Sequence, residues 1–176
     1  MGIQIGAKPD SGFDDPLGML KDCHRRVEHF LNILVVVVDR ARGRTLIDEE
    51  QAAVEAALHY FRVGGRRHTA DEEESLFPRM RAVGALPPEI EALENEHQEA
   101  DPLHTLVDNL YRRWISNSTL IDQEDRQLRS ATERLRQLYA LHIQIEDTIV
   151  FPRAAQVLDR ETLSKIGEEF RTRRSS

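Results

Sequence analysis

The sequence is short of several features, and each shortage excludes a class of protein. Cys23 is the only cysteine among the 176 residues, so no disulfide can form within the chain. We therefore expect a reducing, cytoplasmic location. The longest unbroken apolar run, residues 33–38, is far shorter than the ~20 residues that span a bilayer. No basic segment followed by an apolar stretch marks a secretory signal, so we expect no membrane partner.

Positive charge is also in short supply. The chain has 31 acidic and 24 basic residues and a net charge of −7. This balance argues against nucleic acid or an anionic membrane as a partner. The length is enough for one domain with a sizeable core, and the sequence leaves the oligomeric state open.

Glycine is sparse and no segment reads as a pair of strands, so the sequence predicts an all-α fold. Residues 1–15 are predicted to be a flexible leader, and residues 16–176 to form the domain. Apolar residues recur at helical spacing in four long segments, and a shorter fifth segment follows. We expect an antiparallel up-down-up-down four-helix bundle with a short additional C-terminal helix, built from residues 16–42, 48–82, 87–116, 122–158 and 159–174.

Two segments of the sequence repeat one pattern. HTADEEESLFPRM occupies residues 68–80, and HIQIEDTIVFPRA occupies residues 142–154. Both contain His-x-x-x-Glu followed by Phe-Pro-Arg. His24 matches His97 at almost the same offset. The chain is therefore interpreted as an approximate duplication of a helix pair.

The repeat puts one histidine of each long helix at a similar depth in the bundle. At ~1.5 Å per residue, His24 and His97 lie roughly 14 Å from the starts of their helices. On the same basis, His68 and His142 lie roughly 21–24 Å from the ends of theirs. Because neighbouring helices are expected to be antiparallel, these levels nearly coincide. Any one histidine alone would more often be exposed or hydrogen-bonded in a core, but four at one level indicate a metal site.

Two glutamates complete the candidate site. Glu72 and Glu146 lie one helical turn after His68 and His142, on the same helix faces. Four imidazoles and two carboxylates exceed what one metal ion needs. Two metal ions can share them if each carboxylate bridges both ions. An iron ion held this way keeps an open position for water, an oxo or hydroxo bridge, or a small diatomic ligand.

At this point a family resemblance is recognisable. The segments DCHRRVEHF, HTADEEESLFPRM, LENEHQEAD and HIQIEDTIVFP resemble those of the hemerythrin-like cation-binding domains, often called HHE domains. The resemblance covers about residues 16–173. It implies an antiparallel bundle that holds a non-haem di-iron centre, and it assigns as metal ligands His24, His68, Glu72, His97 and His142.

Two positions depart from the oxygen-carrying hemerythrins. Asp101 stands where those proteins have a second histidine, one turn after His97. Their His-x-x-x-x-Asp ending would select Asp147, whereas the repeat in this chain selects Glu146. The pattern is closer to the di-iron proteins implicated in repair of damaged iron–sulfur clusters. Reversible oxygen carriage is therefore the less expected function.

A further histidine and two acids are weaker candidates. His104 lies seven residues after His97 and is a candidate ligand of the second metal, or else a hydrogen-bonded or exposed histidine. Glu28 and Asp101 are either ligands, acceptors for a ligand imidazole, or solvated acids. Pro102 lies inside the third helix and is expected to kink or bulge it.

The remaining features are interpreted structurally. The Phe-Pro-Arg of each repeat is expected to bend its helix at Phe77 or Phe151. Gly64-Gly65 is expected to kink or interrupt the second helix. Cys23 is expected to be a buried, inert thiol, and the basic residues 171–174 are expected to be solvated.

Three kinds of function remain open from the sequence. The first is a sensor or binding protein whose two iron ions, oxo- or hydroxo-bridged, take oxygen, nitric oxide or peroxide and whose state is read by a protein partner. The second is an enzyme that disposes of peroxide or nitric oxide, or delivers iron for iron–sulfur cluster repair. The third is an iron-handling protein. We expect a role in oxidative or nitrosative stress, and the sequence leaves open whether the protein is an enzyme.

Overall fold

The computed structural model describes residues 10–175, which form five helices and no strand, confirming the all-α prediction. Residues 1–9 of the predicted leader lie outside this range. Within residues 10–175 no helix is long and apolar enough to span a bilayer. The helices are α1 (Pro16–Ala41), α2 (residues 48–82), α3 (Ile90–Asn117), α4 (residues 122–157) and α5 (Arg160–Ser175).

Acidic residues mark the helix starts. Asp15 accepts a hydrogen bond from the backbone N–H of Gly18 at 3.0 Å and caps α1. Asp159 accepts one from Thr162 at 2.8 Å and caps α5. At α2 and α4 the first helical residue is itself an aspartate, which stabilises the positive end of the helix dipole. Local sequence therefore decides where each of these helices begins.

Both α2 and α4 contain a π-helical turn immediately before Phe-Pro. These turns are Asp71–Leu76 in α2 and Glu146–Val150 in α4. Proline lacks an N–H and its ring crowds the carbonyl four residues earlier. A wider turn relieves that crowding, and such turns are frequent at functional sites. Phe77 and Phe151 keep helical dihedral angles, so the irregularity lies in the preceding turn rather than at the phenylalanines.

The other two predicted irregularities have different outcomes. A third π-helical turn, Phe61–Gly65, contains the glycine pair, and α2 continues through it without a break. The predicted bulge at Pro102 is absent, because α3 is α-helical from Ile90 to Asn117. Pro102 and Gln98 are both exposed, so water can bond the carbonyl that loses its helical partner.

The core consists of two apolar clusters with a buried polar layer between them. Along α1 and α3 the chain passes from the second cluster to the first, and along α2 and α4 it passes from the first to the second. This alternation is compatible with the predicted antiparallel bundle. The first cluster includes Val27, Leu31, Leu34, Val38, Tyr111, Trp114, Leu128 and Leu135, and the second includes Leu20, Leu76, Phe77, Met80, Leu93, Phe151 and Phe170.

Helix α5 folds back over the second cluster. Ile166 and Phe170 are fully buried in it. Between them, Gly167 lies against the backbone carbonyl of Phe13, only 1.9 Å from where a Cβ would stand. Phe13 itself packs on the second cluster. The residues just before α1 and the C-terminal helix are therefore in contact.

Candidate metal centre

The buried polar layer contains all four histidines of the repeat together with the two glutamates. Their side chains are between 0 and 7% exposed. They form two adjacent groups in which one potential ligand atom from each residue lies within 4.8 Å of the others. We call these the first position, with His24 and His68, and the second position, with His97 and His142. Both groups also include Glu72 and Glu146.

Glu72 gives one oxygen to each position. Its Oε1 lies 3.2 Å from Nε2 of His68 and 4.0 Å from Nε2 of His24. Its Oε2 lies 3.5 Å from Nε2 of His97. The carboxylate therefore lies between the two pairs of imidazoles.

Glu146 divides its oxygens in the same way. Its Oε2 lies 3.0 Å from Nε2 of His24, and its Oε1 lies 3.3 Å from Nε2 of His142. The Nε2 atoms of His97 and His142 face each other at 3.1 Å. Each position therefore has two imidazole nitrogens and one oxygen from each carboxylate.

The donor atoms at the centre fit a pair of cations. Nε2 of His24 and all four carboxylate oxygens of Glu72 and Glu146 are buried, and none forms a well-aligned hydrogen bond in residues 10–175, although imidazole nitrogens lie 3.0–4.0 Å from these oxygens. Buried polar atoms are normally paired, so a cluster of unpaired acceptors needs an explanation. Cations between them would satisfy these atoms, and mixed nitrogen and oxygen donors without thiolate suit iron or manganese.

Three of the four imidazoles contact a carboxylate through Nδ1, the ring nitrogen that faces away from the centre. Nδ1 of His24 lies 3.0 Å from Asp147. Nδ1 of His97 lies 2.8 Å from Glu73. A third contact, also 2.8 Å, joins Nδ1 of His142 to Glu96. A carboxylate at Nδ1 keeps the proton there and leaves Nε2 free to bind a metal.

Sequence reasoning missed these three acids as a group. A signal was present, because an acid follows each repeated glutamate: Glu73 follows Glu72, and Asp147 follows Glu146. The sequence proposed Glu28 and Asp101 as acids that support a ligand imidazole, and both are exposed. Within the described residues, neither contacts any of the four imidazoles of the polar layer. Rotation of each helix about its axis decides which acid faces inward.

His68 differs from the other three imidazoles. Its Nδ1 is buried and has no hydrogen-bond partner within residues 10–175. In the repeat, Cys23 stands where Glu96 stands in the second half, since each immediately precedes a histidine ligand. Cys23 is buried, as predicted, and its Sγ accepts a hydrogen bond from Arg26 at 3.5 Å. The first position therefore has one fewer supporting carboxylate.

Burial and charge set the protonation of the metal-free centre. Burial, reinforced by repulsion from Glu146, raises the pKa of Glu72. Burial also acts to raise the pKa of Glu146, but His142 and His24 outweigh it and hold that pKa below its usual range. For His24, burial acts to lower the pKa, but Asp147 and Glu146 raise it to about 9. The centre thus holds protons at neutral pH that bound cations would displace.

The structure does not bring His104 into either position. Its Nε2 lies 2.9 Å from the hydroxyl of Tyr139, and its ring packs on Phe61. Burial lowers the pKa of His104 to about 4, so the imidazole is neutral. Seven residues after His97 is about 10 Å farther along the helix axis, which takes His104 past the polar layer.

The sequence predicted a solvated basic tail, but of its arginines only Arg171 is exposed, whereas Arg173 and Arg174 are half-buried against an acid. Asp71 is completely buried beside Glu72. Arg173 bonds its Oδ1 at 2.8 Å, and Arg174 bonds its Oδ2 at 2.6 Å. Arg173 also donates to the hydroxyl of Ser75 at 2.7 Å. Because α5 folds back, its last turn binds the π-helical turn that carries the candidate bridging glutamate.

Comparisons with known proteins agree with this geometry. A family model described as the hemerythrin HHE cation binding domain matches residues 15–154, a range that includes all six residues of the polar layer. An uncharacterized protein from Haemophilus influenzae is 26% identical over 168 residues, which cover 92% of this chain and 91% of that protein. Helix α5 lies beyond the family match.

Proposed function

The chain belongs to the hemerythrin HHE cation-binding family, and from this premise we propose that it holds two iron ions in an antiparallel four-helix bundle. Glu72 and Glu146 bridge the ions, and the pair binds or reacts with oxygen, peroxide or nitric oxide. A role in the response to oxidative or nitrosative stress is part of the proposal. The observation that carries it is the division of both carboxylates between two pairs of imidazoles.

The residues of the chain have distinct tasks in this proposal. His24 and His68 hold the first ion, and His97 and His142 hold the second. The carboxylates at Nδ1 orient three of these imidazoles and keep them in one tautomer. The apolar clusters on both sides of the layer keep its six donor side chains at most 7% exposed, which strengthens electrostatic contacts in the centre. An iron pair supplies one-electron and two-electron chemistry toward small oxidants.

Metal analysis tests the proposal. After expression with added iron, we expect about two iron ions per chain. Two histidine variants serve as a matched test and control. His97→Ala should lose iron, whereas His104→Ala should keep the iron content of the wild type. One tightly bound zinc ion and no second metal would contradict the di-iron assignment.

The reaction itself is tested on the reduced, iron-loaded protein. Oxygen, hydrogen peroxide and nitric oxide are added separately under otherwise anaerobic conditions. A sensor or binding protein forms one stoichiometric adduct, whereas an enzyme consumes many equivalents. Spectra and ligand consumption, measured together, separate these outcomes.

A second candidate is iron delivery for repair of iron–sulfur clusters. One observation favours it: Asp147, the position that the oxygen carriers' pattern would select as a ligand, instead contacts the outer nitrogen of His24. The centre thus follows the His-x-x-x-Glu pattern in both halves. Transfer of iron from the loaded protein to an apo iron–sulfur protein, compared with transfer to a chelator alone, tests this candidate.

A further inference from the structure

A cleft between α2 and α3 leads from the surface to the polar layer. Its volume is about 590 Å³, which lies within the range of small-molecule sites and far above the ~30 Å³ that a water molecule occupies. Small side chains form its opposing walls, among them Thr69 and Ala70 on α2 and Ala100 and Thr105 on α3. The cleft therefore has room for more than a diatomic molecule.

The cleft reaches only one of the two metal positions. His97 and its partner Glu73 line it, whereas neither histidine of the first position does. His24 is instead stacked on Phe151, with ring centroids 5.3 Å apart, and Phe151 belongs to the second apolar cluster. A molecule that enters the cleft would therefore meet the second position at His97, the one residue of that position that lines the cleft.

The floor of the cleft carries a polar pair. His104 and Tyr139 both line it and are joined by the 2.9 Å contact between Nε2 and the phenolic oxygen. The ring of Tyr139 lies 6.2 Å from that of His142. When a neutral imidazole donates its Nε2–H to the phenolic oxygen, the phenol O–H is free to donate to a ligand.

The charges around the cleft favour a neutral ligand. The acids that line it are Glu73, Glu74, Asp101 and Asp108, against the two arginines Arg62 and Arg66. Arg62 is already paired with Asp108 at 2.8 Å. An anion with an organic group would meet this acidic excess in the lining, whereas an uncharged molecule would not.

We propose that the cleft is the binding site for an uncharged organic hydroperoxide. Its organic group lies between the walls at Thr69 and Thr105, and its peroxide end points to the second position. The hydroxyl of Tyr139 donates a hydrogen bond to that end. This inference rests on the proposed function. It adds the class of substrate and the side of the centre from which the substrate approaches. His104 is a positioning residue that acts through Tyr139.

A binding experiment tests the cleft without any metal. The probe is 2-phenyl-2-propanol, the alcohol that corresponds to cumene hydroperoxide, added to metal-free protein labelled with ¹⁵N. We expect shifted amide signals at Gly65, Thr69 and Thr105. Shifts confined to residues away from the cleft, or no shifts, would overturn the proposal even if the protein holds two iron ions.

A kinetic experiment on the ferrous protein tests the side of approach. Conversion of the hydroperoxide to the alcohol and water breaks the O–O bond and takes up two electrons and two protons, and a ferrous pair held by the six residues would supply the electrons. The double variant Thr69→Trp/Thr105→Trp should slow oxidation by cumene hydroperoxide by about tenfold or more and slow oxidation by the smaller hydrogen peroxide much less. Ser116→Trp, an exposed position of α3 outside the cleft, is the control.

A second variant makes a smaller change and can be used if the two tryptophans prevent folding. Tyr139→Phe keeps the ring and removes the hydroxyl, and loss of one hydrogen bond should weaken binding of the alcohol by about fivefold. Iron content should not change. Equal slowing of both peroxides by the tryptophan pair, or unchanged alcohol binding in Tyr139→Phe, would contradict the proposal. Failure of the wild-type protein to bind two metals would contradict the proposed function instead.

Discussion

Oδ1 of Asp147 lies 3.0 Å from Nδ1 of His24, although 123 positions separate the two residues in the chain. Glu73 and His97 form the matching contact at 2.8 Å. In both cases the acid that follows a candidate bridging glutamate supports a histidine of the other helix pair. The two halves of the duplication therefore complete each other's metal positions.

This reciprocity predicts that Asp147→Asn and Glu73→Gln each weaken iron binding by about 10–100-fold. The amide keeps the shape of the side chain but loses the charge that fixes the imidazole tautomer. Competition against a chelator of known affinity measures the effect. Glu28→Gln, an exposed acid one turn after His24, is the control and should bind iron as the wild type does. Equal affinity in all of these variants would contradict a supporting role.

The double substitution Glu72→Ala/Glu146→Ala should abolish the two-metal centre and leave the helices folded. Both proposed bridges disappear, and the remaining imidazoles could hold at most one ion loosely. Most of the stability comes from the apolar clusters rather than the centre. Iron analysis and circular dichroism follow the two effects. A variant that keeps two iron ions per chain would refute the bridging assignment.

The variant Glu72→Gln should be no less stable than the wild type when both are metal-free. Burial and repulsion from Glu146 raise the pKa of Glu72, so a neutral amide of nearly the same size removes an unfavourable charge. Glu146 differs, because His142 and His24 stabilise its charge in the metal-free centre. The comparison requires metal-free samples, because bound metal stabilises the folded protein. A metal-free variant that unfolds well below the metal-free wild type would show that Glu72 has a structural role.

His104 should make the metal-free protein less stable in mild acid. Its pKa is about 4 in the folded chain and about 6.5 when unfolded. Above pH 6.5 both states are neutral and the histidine has no effect. Between pH 6.5 and 4 only the unfolded state takes up the proton, so the free energy of unfolding falls as the pH falls, by up to about 3 kcal/mol. Urea unfolding of wild type and His104→Gln at several pH values isolates this contribution as a difference.

The contacts of Asp71 predict a strong effect of two distant arginines. Arg173→Gln/Arg174→Gln leaves a buried carboxylate without its cations and should destabilise the protein by about 3–5 kcal/mol. Iron affinity should fall as well, because Asp71 is adjacent to Glu72. Arg171→Gln removes an exposed arginine that pairs with Glu168 and lies over the ring of Phe13, and it should change stability by less than about 1 kcal/mol. Adding Asp71→Asn to the double variant should recover part of the loss.

Much of the fold follows from local sequence signals. The aspartates at helix starts, the helical spacing of apolar residues and the prolines beside turns act within a few residues of each other. They predict the five helices closely. The prediction of a bulge at Pro102 was wrong, because a proline removes one helical hydrogen bond but does not determine how the helix adjusts. The π-helical turns before Pro78 and Pro152 could not be read from the sequence for the same reason.

The sequence by itself determined the six residues of the polar layer, because a duplicated helix pair repeats its histidines and glutamates at matching depths. Tertiary structure decided the rest. The rotation of each helix selected Glu73, Glu96 and Asp147 to face the imidazoles and turned His104 toward Tyr139. The return of α5 brought two half-buried arginines into contact with the buried Asp71. These contacts join residues far apart in the chain, and their geometry depends on how whole helices pack, which no local pattern records.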